Sequence, residues 1–261
     1  MSTDVSVEDK FLFDLQGYLL LRDVLSKEEC ERYREVLHTL EQSEYEDAGM
    51  AARGTKELKR ANQVRLNGIV RLDPAFDSLI DHPRILPYLQ EFVGDPQLIN
   101  TWSITKFKGA VHSGWHRGIT TSDYVCKEGE IRSRMFNTVY FLTDNGPEDG
   151  CVVGLPGSHK SSFDLKFDDY DGLELPGSMP ITGKTGDVLL FSECVVHNGL
   201  LKTTDGERSN LYFNYVHAYY NVMMREPKNC HHFYFPSDVR ARFTESQRNL
   251  TRWMDFTKWD Y

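Results

Sequence analysis

The chain has 261 residues, of which 40% are hydrophobic and 26% charged, a composition typical of a soluble globular protein with a substantial core. Its formal net charge is −9 and it contains no basic run, which argues against nucleic acid and anionic membranes as partners. The sequence shows no signal peptide and no apolar run long enough to span a membrane, and its five cysteines are scattered, so we expect reduced thiols and a cytoplasmic location.

The N-terminal part, about residues 1–97, is predicted to be mainly helical. Tyr18–Leu21 is an apolar run typical of a short buried strand. Ser26 and Glu29 form the pattern of a capping box, which predicts a helix with one apolar face and one charged face. A second helix is predicted after Pro83, and Gly94 is its expected end.

From about residue 98 the pattern changes to short runs rich in β-branched and aromatic residues. Gly-rich turns separate four predicted strands, which are Ile99–Phe107, Met135–Leu142, Val188–Phe191 and Leu211–Ala218. Helices followed by such strands predict a mainly β single domain over 1–261, a β-sandwich or jelly roll with N-terminal helices. The jelly-roll core would span about 98–220, and a tail of about 221–261 would pack against it, with a helix proposed over Arg248–Trp259.

Two histidines and an arginine stand where they would meet in the mouth of such a barrel. His116 and His197 each follow a predicted strand, and Arg208 lies eleven residues after His197. Two imidazoles with open coordination positions suit Fe(II) that activates O2, and a guanidinium fork suits a carboxylate. Any one of these residues is more often structural, but their ordered combination favours a metal site.

At this point a family resemblance becomes visible. The chain resembles the phytanoyl-CoA dioxygenase family of Fe(II)/2-oxoglutarate oxygenases over about residues 11–216. The resemblance implies a double-stranded β-helix (a cupin-like jelly roll) with His116 and His197 as iron ligands. It also implies that Arg208 binds the distal carboxylate of 2-oxoglutarate, and that a small molecule is the substrate. The motifs that carry it are Phe13–Tyr18, Asp81–Pro83, Trp115–Gly118, Leu155–Lys160, Gly186–Val188, His197 and Arg208.

Other residues are assigned to the cavity with less support from the motifs. Lys106, Asn137 and Thr138 lie on predicted strands and are expected to line the co-substrate cavity, although each would equally face solvent. Trp115 and Arg117 flank the first histidine and are candidates for substrate contact, with Trp115 equally suited to the core.

The first iron ligand has a rival four residues earlier, His112. We prefer His116 because the family pattern places the ligand directly after an aromatic or leucine position and before x-Gly or x-Asp.

The family's iron-binding carboxylate is missing, because Gly118 stands two residues after His116. In the aliphatic halogenases of the wider group a small residue occupies this position and chloride binds iron there, so we predict halogenation. Three alternatives stay open. Asp123, Glu193 or water would complete the iron site for hydroxylation or another oxidation; the chain would be a binding module without metal; or the glycine would serve only a backbone turn.

Overall fold

The computed structural model describes residues 5–42, 57–58, 62–111, 114–163, 165–219 and 235–252. Its helices are α1 Val7–Gln16, α2 Lys27–Gln42, α3 Ile69–Leu72, α4 Leu86–Phe92, α5 Ser237–Ala241 and α6 Glu245–Leu250. Its strands are β1 Tyr18–Leu21, β2 Glu57–Leu58, β3 Gln63–Asn67, β4 Pro96–Lys106, β5 Tyr124–Lys127, β6 Glu130–Ser133, β7 Met135–Phe141, β8 Val152–Gly154, β9 Met179–Pro180, β10 Val188–Ser192, β11 His197–Gly199 and β12 Arg208–His217.

Two antiparallel sheets build the barrel. The large sheet has seven strands in the order β1-β10-β7-β12-β4-β3-β2, and the small sheet has the order β11-β8-β9. A hairpin of β5 and β6 lies beside them. Apolar side chains of both sheets pack together between them, among them Phe141, Val152, Ile181, Leu189 and Phe191. The predicted mainly β jelly roll with N-terminal helices is therefore confirmed.

The four predicted strands are present with their ends shifted by up to three residues. The largest shifts, three residues each, are at the start of β4, which begins at Pro96 and not at Ile99, and at the start of β12, which begins at Arg208 and not at Leu211. The predicted strand Tyr18–Leu21 is present as β1, but the N-terminal part is less purely helical than predicted, because β2 and β3 also join the large sheet. We had assigned no strand at β3, whose two apolar residues, Val64 and Leu66, give too short an alternation to stand out.

Alternate residues of the central strands face different surroundings. Phe136 and Tyr140 of β7 belong to a core shared with the helices, whereas Val139 and Phe141 belong to the core between the sheets. The helix-side core includes Phe13, Tyr33, Leu89, Phe92, Leu211, Phe213 and Tyr215. The N-terminal helices therefore cover one face of the large sheet, and the opposite face is left for the barrel interior.

The helix ends follow the predicted chemistry only in part. Ser26 and Glu29 form the predicted capping box, with Glu29 N donating to Ser26 Oγ at 3.1 Å and Ser26 N donating to Glu29 Oε2 at 2.8 Å. In the tail the helix begins at Glu245, ahead of the predicted start at Arg248, and residues 253–261 lie outside the described part. Within the described residues, no helix combines the length and the apolar character that crossing a bilayer needs.

Candidate active site

A cavity of about 270 Å³ opens between the two sheets. Five of the residues that we singled out in the sequence as site residues border it, namely Lys106, His116, Asn137, His197 and Arg208. Glu193, which we had named only as an alternative ligand, borders it as well. The other lining residues are Gln63, Arg65, Trp102, Ile104, Val152, Phe191, Asn198, Gly199 and Tyr212.

The backbone itself holds the two histidines side by side. His116 N donates to His197 O at 3.0 Å and His197 N donates to His116 O at 2.9 Å, so the two residues are directly opposed in an antiparallel bridge. Directly opposed residues project to the same face, and the ring centroids are 4.3 Å apart. Since metal–imidazole bonds are about 2 Å long, both rings can reach one ion.

Each ring is oriented by a backbone carbonyl two residues earlier. His116 Nδ1 lies 2.9 Å from Gly114 O, and His197 Nδ1 lies 2.9 Å from Val195 O. A carbonyl oxygen only accepts, so each Nδ1 carries the proton and each Nε2 keeps its lone pair. Burial lowers the pKa of both rings, and the neighbouring His197 lowers the pKa of His116 further. Both imidazoles can thus present a neutral Nε2 atom to a metal ion.

Two cations lie deeper in the cavity. Lys106 on β4 and Arg208 on β12 are cross-strand partners, and their exposed fractions are 4% and 2%. Lys106 Nζ donates to Leu200 O at 2.8 Å and Arg208 Nη2 donates to Gly150 O at 2.8 Å, while Arg208 Nε is buried without a hydrogen-bond partner. Burial, and secondly Arg208, lowers the pKa of Lys106 to about 7. Opposed buried cations repel each other, so this pair is suited to an anion.

One wall of the cavity is aromatic. Trp102 and Tyr212 stack with centroids 5.1 Å apart, and the guanidinium of Arg65 lies 5.2 Å from the centroid of the Trp102 ring. We had not singled out these residues. The sequence could have predicted Trp102 and Tyr212. Side chains two or four residues apart on a strand share a face, and Trp102 lies four residues from Lys106 on β4, as Tyr212 does from Arg208 on β12. Arg65 could not be predicted in this way, because the short apolar alternation of β3 did not identify that segment as a strand.

Three predicted site residues lie away from this cavity. Thr138 sits between Asn137 and Val139, and since successive side chains of a strand alternate, it faces the helix side of the sheet. Trp115 is packed in a small apolar core with Cys151 and Val196, which is the structural alternative that we had considered.

Arg117 borders a separate groove, where its guanidinium lies 5.8 Å from the Phe167 ring centroid. His112, the rival first ligand, lies outside the described residues.

Of the two carboxylates proposed to replace the missing ligand, only Glu193 borders the cavity. Asp123 instead forms an ion pair with Arg134 at 3.2 Å and accepts a hydrogen bond from Thr120 at 3.0 Å. Gly118 itself lies beside Glu193, because Gly118 N donates to Glu193 O at 2.9 Å. It is absent from the glycines with positive φ, so the backbone-turn explanation for this glycine is wrong.

Comparison with known proteins gives consistent matches. The phytanoyl-CoA dioxygenase family model matches residues 13–210. An ectoine dioxygenase of Nocardia farcinica is 26% identical over 242 aligned residues, with 82% of this chain and 79% of that protein covered.

Solved structures share the fold. HygX from Streptomyces hygroscopicus, with nickel, 2-oxoglutarate and hygromycin B bound, has a TM-score of 0.70 at 22% identity, covering 82% of this chain and 88% of that one. SnoN, an α-ketoglutarate-dependent epimerase from nogalamycin biosynthesis, has a TM-score of 0.63 at 19% identity, covering 81% and 83%. These likenesses agree with the predicted double-stranded β-helix.

Proposed function

The chain belongs to the phytanoyl-CoA dioxygenase family, and from this premise we propose that it is an Fe(II)/2-oxoglutarate-dependent oxygenase that oxidises a C–H bond of a small molecule. The observation that carries the proposal is the content of one cavity. It brings together two imidazoles with unprotonated Nε2 atoms and a buried pair of cations that needs an anion.

The residues fit both groups that the family implies. His116 and His197 would hold the iron, because carbonyl-anchored neutral imidazoles are the donors that Fe(II) accepts. Arg208 and Lys106 would bind the distal carboxylate of 2-oxoglutarate, which would satisfy the unpartnered Nε of Arg208 and neutralise the opposed charges. When bound, iron with O2 and 2-oxoglutarate supplies the oxidising power for C–H cleavage, with the co-substrate converted to succinate and CO2.

The chain's own residues would position the reactants. The stacked pair of Trp102 and Tyr212 forms an aromatic wall beside the anion site, where it would limit the access of water. Arg65 and Gln63 border the same space and would bind polar groups of the substrate. The relative named above is an ectoine dioxygenase, and the HygX structure holds hygromycin B, which supports a small-molecule substrate for this chain.

Among the possible oxidations, we favour hydroxylation or another oxidation without halide. Halogenation remains the second candidate because Gly118 removes the carboxylate on which the usual iron site depends. It requires an open position for chloride beside the iron, however, and the carboxyl group of Glu193 lies directly against Gly118. This contact favours a site closed to halide.

The experiment that tests the proposed function is an anaerobic titration with Fe(II) and 2-oxoglutarate, followed by visible spectroscopy. The intact protein should develop a charge-transfer band and, on exposure to O2, form succinate. His116→Ala and His197→Ala should each abolish both signals. His38→Ala is the matched control, because His38 contacts Glu207 outside the cavity, and it should leave them unchanged. An intact protein that binds neither Fe(II) nor 2-oxoglutarate would overturn the proposal.

The same titration in the presence of chloride separates the two candidate reactions. A band that is indifferent to chloride and bromide supports oxidation without halide. A band that each halide shifts differently supports halogenation and contradicts our preference.

A further inference from the structure

Among the residues that the structure describes, Glu193 is the one acidic residue that lines the cavity. It directly follows β10, four residues before His197, and its exposed fraction is 6%. Its carbonyl accepts the hydrogen bond from Gly118 N, so its backbone is tied to the segment that carries His116. The chain therefore places this side chain next to both proposed metal ligands.

Among the described residues, the Glu193 carboxylate is hydrogen-bonded to amide side chains and forms no ion pair with a cationic side chain. Glu193 Oε1 accepts hydrogen bonds from Asn137 Nδ2 and, at 3.3 Å, from Asn214 Nδ2. In the part of the chain that the structure describes, no Lys, Arg or His is within ion-pair distance of it. A buried carboxylate of this kind is costly unless a positive charge joins it.

The second, independent observation is the fit between Glu193 and Gly118. A Cβ added at position 118 would lie 3.0 Å from Cδ and 3.1 Å from Cβ of Glu193, and closer still to Oε2. With a side chain at position 118, the Glu193 carboxyl group would have to move aside, and Gly118 has no positive φ that would require glycine. In this structure the Glu193 carboxyl group therefore occupies the space where a side chain at position 118 would begin.

We propose that Glu193 supplies the carboxylate ligand of iron that position 118 lacks, which completes a site of two histidines and one carboxylate with His116 and His197. This inference rests on the proposed function, since it presumes that the cavity binds iron. It moves the carboxylate from the residue two positions after the first histidine to the residue four positions before the second. Asn137 and Asn214 become positioning residues that hold Oε1.

Completing the site needs a local movement of the Glu193 side chain. Among the described residues, no three His, Cys, Asp or Glu side chains already converge as a ready metal site. In this arrangement the Glu193 carboxylate is hydrogen-bonded to the amide of Asn137. Rotation about the side-chain torsions of Glu193 would turn an oxygen towards the imidazoles while its backbone stays fixed by Gly118. A cation at the two Nε2 atoms would provide the driving force.

The test is metal binding, measured by anaerobic calorimetric titration with Fe(II) alone. Glu193→Gln keeps the size of the side chain and an oxygen for Asn137 and Asn214, so the fold should survive, which thermal unfolding would check. We expect its Fe(II) affinity to fall by roughly 30-fold or more, the lower end of the loss when one partner of a buried charge pair is removed. Asp123→Asn is the matched control, because Asp123 pairs with Arg134 away from the cavity, and its Fe(II) affinity should be unchanged.

Halide sensitivity gives a second readout on the same variants. With the carboxylate gone, Glu193→Gln should acquire a chloride-dependent change in its iron/2-oxoglutarate band, whereas the intact protein should show none. If Glu193→Gln binds Fe(II) as tightly as the intact protein and its band ignores chloride, Glu193 is not a ligand. Failure of the intact protein to bind Fe(II) at all would instead overturn the proposed function, so the two failures are distinguishable.

Moving the carboxylate back provides the reciprocal test. Gly118→Asp alone should weaken Fe(II) binding, because its side chain collides with Glu193. In combination with Glu193→Ala, the new aspartate has room, and Fe(II) affinity should recover above that of Glu193→Ala alone. Equal affinities of the single variant Glu193→Ala and the double variant, both folded, would contradict the exchange.

Discussion

The two faces of the large sheet are made by the same strands and have opposite character. On β12, Leu211, Phe213 and Tyr215 pack into the core shared with the helices. The alternate residues Arg208 and Tyr212 line the cavity on the other face. One face buries apolar area, which stabilises the fold. The other holds the apolar core between the sheets and, around the cavity, buried cations and a carboxylate, whose burial opposes folding unless partners of opposite charge compensate it.

This contrast explains why the helices are needed. Because part of the cavity-side face is polar, the helix-side face has to contribute much of the stability, and that face is covered by α1, α2 and α4. Predictions that separate the two faces are therefore the sharpest tests of the architecture.

The largest effect should come from removing the cover. A chain that begins at Leu98 lacks Phe13, Tyr33 and Phe92, all of which are fully or almost fully buried in the helix-side core, as well as three strands of the large sheet. We expect it to be insoluble or to unfold without a cooperative transition, measured by circular dichroism on heating. A stable, iron-binding fragment of this kind would show that the cavity side suffices for folding.

A single truncated side chain on the helix-side face should lower the stability of the fold and leave 2-oxoglutarate binding intact. Phe213 is 0% exposed and packs edge-on against Tyr140 with centroids 5.6 Å apart. Phe213→Ala should therefore reduce the free energy of unfolding by about 3–5 kcal/mol in urea titrations. Below the unfolding transition its affinity for 2-oxoglutarate should change by less than about threefold. A large loss of affinity would mean that the two faces are coupled.

The features of these two faces that the sequence predicted are those set by patterns within a few neighbouring residues. The strands at β4, β7, β10 and β12 and the capping box at Ser26 were predictable, because residue period and cap chemistry act over a few neighbouring residues. The assignment of Thr138 to the cavity was wrong. Successive side chains on a strand point to opposite faces, so the residue next to Asn137 faces the helix side. Asn137, its neighbour, is on the correct face.

The contact between Glu193 and Gly118 could not be predicted from the sequence. The sequence suggested Glu193 and Asp123 as equivalent replacements for the missing carboxylate, and nothing in either local pattern separates them. Their difference lies in contacts between distant segments: Gly118 N binds the carbonyl of Glu193, while Asp123 turns to Arg134. Such packing is decided only when the barrel closes.

The cavity face should respond in the opposite way to the core. Arg208→Lys retains the charge but loses the planar fork, so it should not act as a conservative change. Where Arg208→Ala, which removes the charge, should cost about 2–5 kcal/mol of 2-oxoglutarate binding, Arg208→Lys should lose a measurable part of that in calorimetric titrations with metal present. Its free energy of unfolding should stay within about 1 kcal/mol of the intact protein, because the change leaves the helix-side core intact. Unchanged co-substrate affinity would remove Arg208 from its predicted role.

The smallest expected effect is a pH dependence that arises from Lys106 alone. Its pKa is about 7, lowered first by burial and then by Arg208, so in the free protein the ammonium form predominates below pH 7 and the neutral amine above it. A carboxylate binds the ammonium form, and binding above pH 7 must therefore take up a proton. The affinity for 2-oxoglutarate should fall as pH rises from 7 to 9, by at most about tenfold per pH unit.

Other groups near Lys106 are charged or titrate as well, namely Arg208 and Cys151 beside it and Glu193, His116 and His197 across the cavity. Lys106→Met isolates the contribution of the amine, because the variant keeps these groups and the aliphatic volume. It should bind 2-oxoglutarate more weakly than the intact protein at pH 6, and the two affinities should converge towards pH 9. If the two proteins show parallel pH profiles of 2-oxoglutarate affinity, Lys106 does not change its protonation state on binding. Arg208 alone would then be the cation that binds the carboxylate.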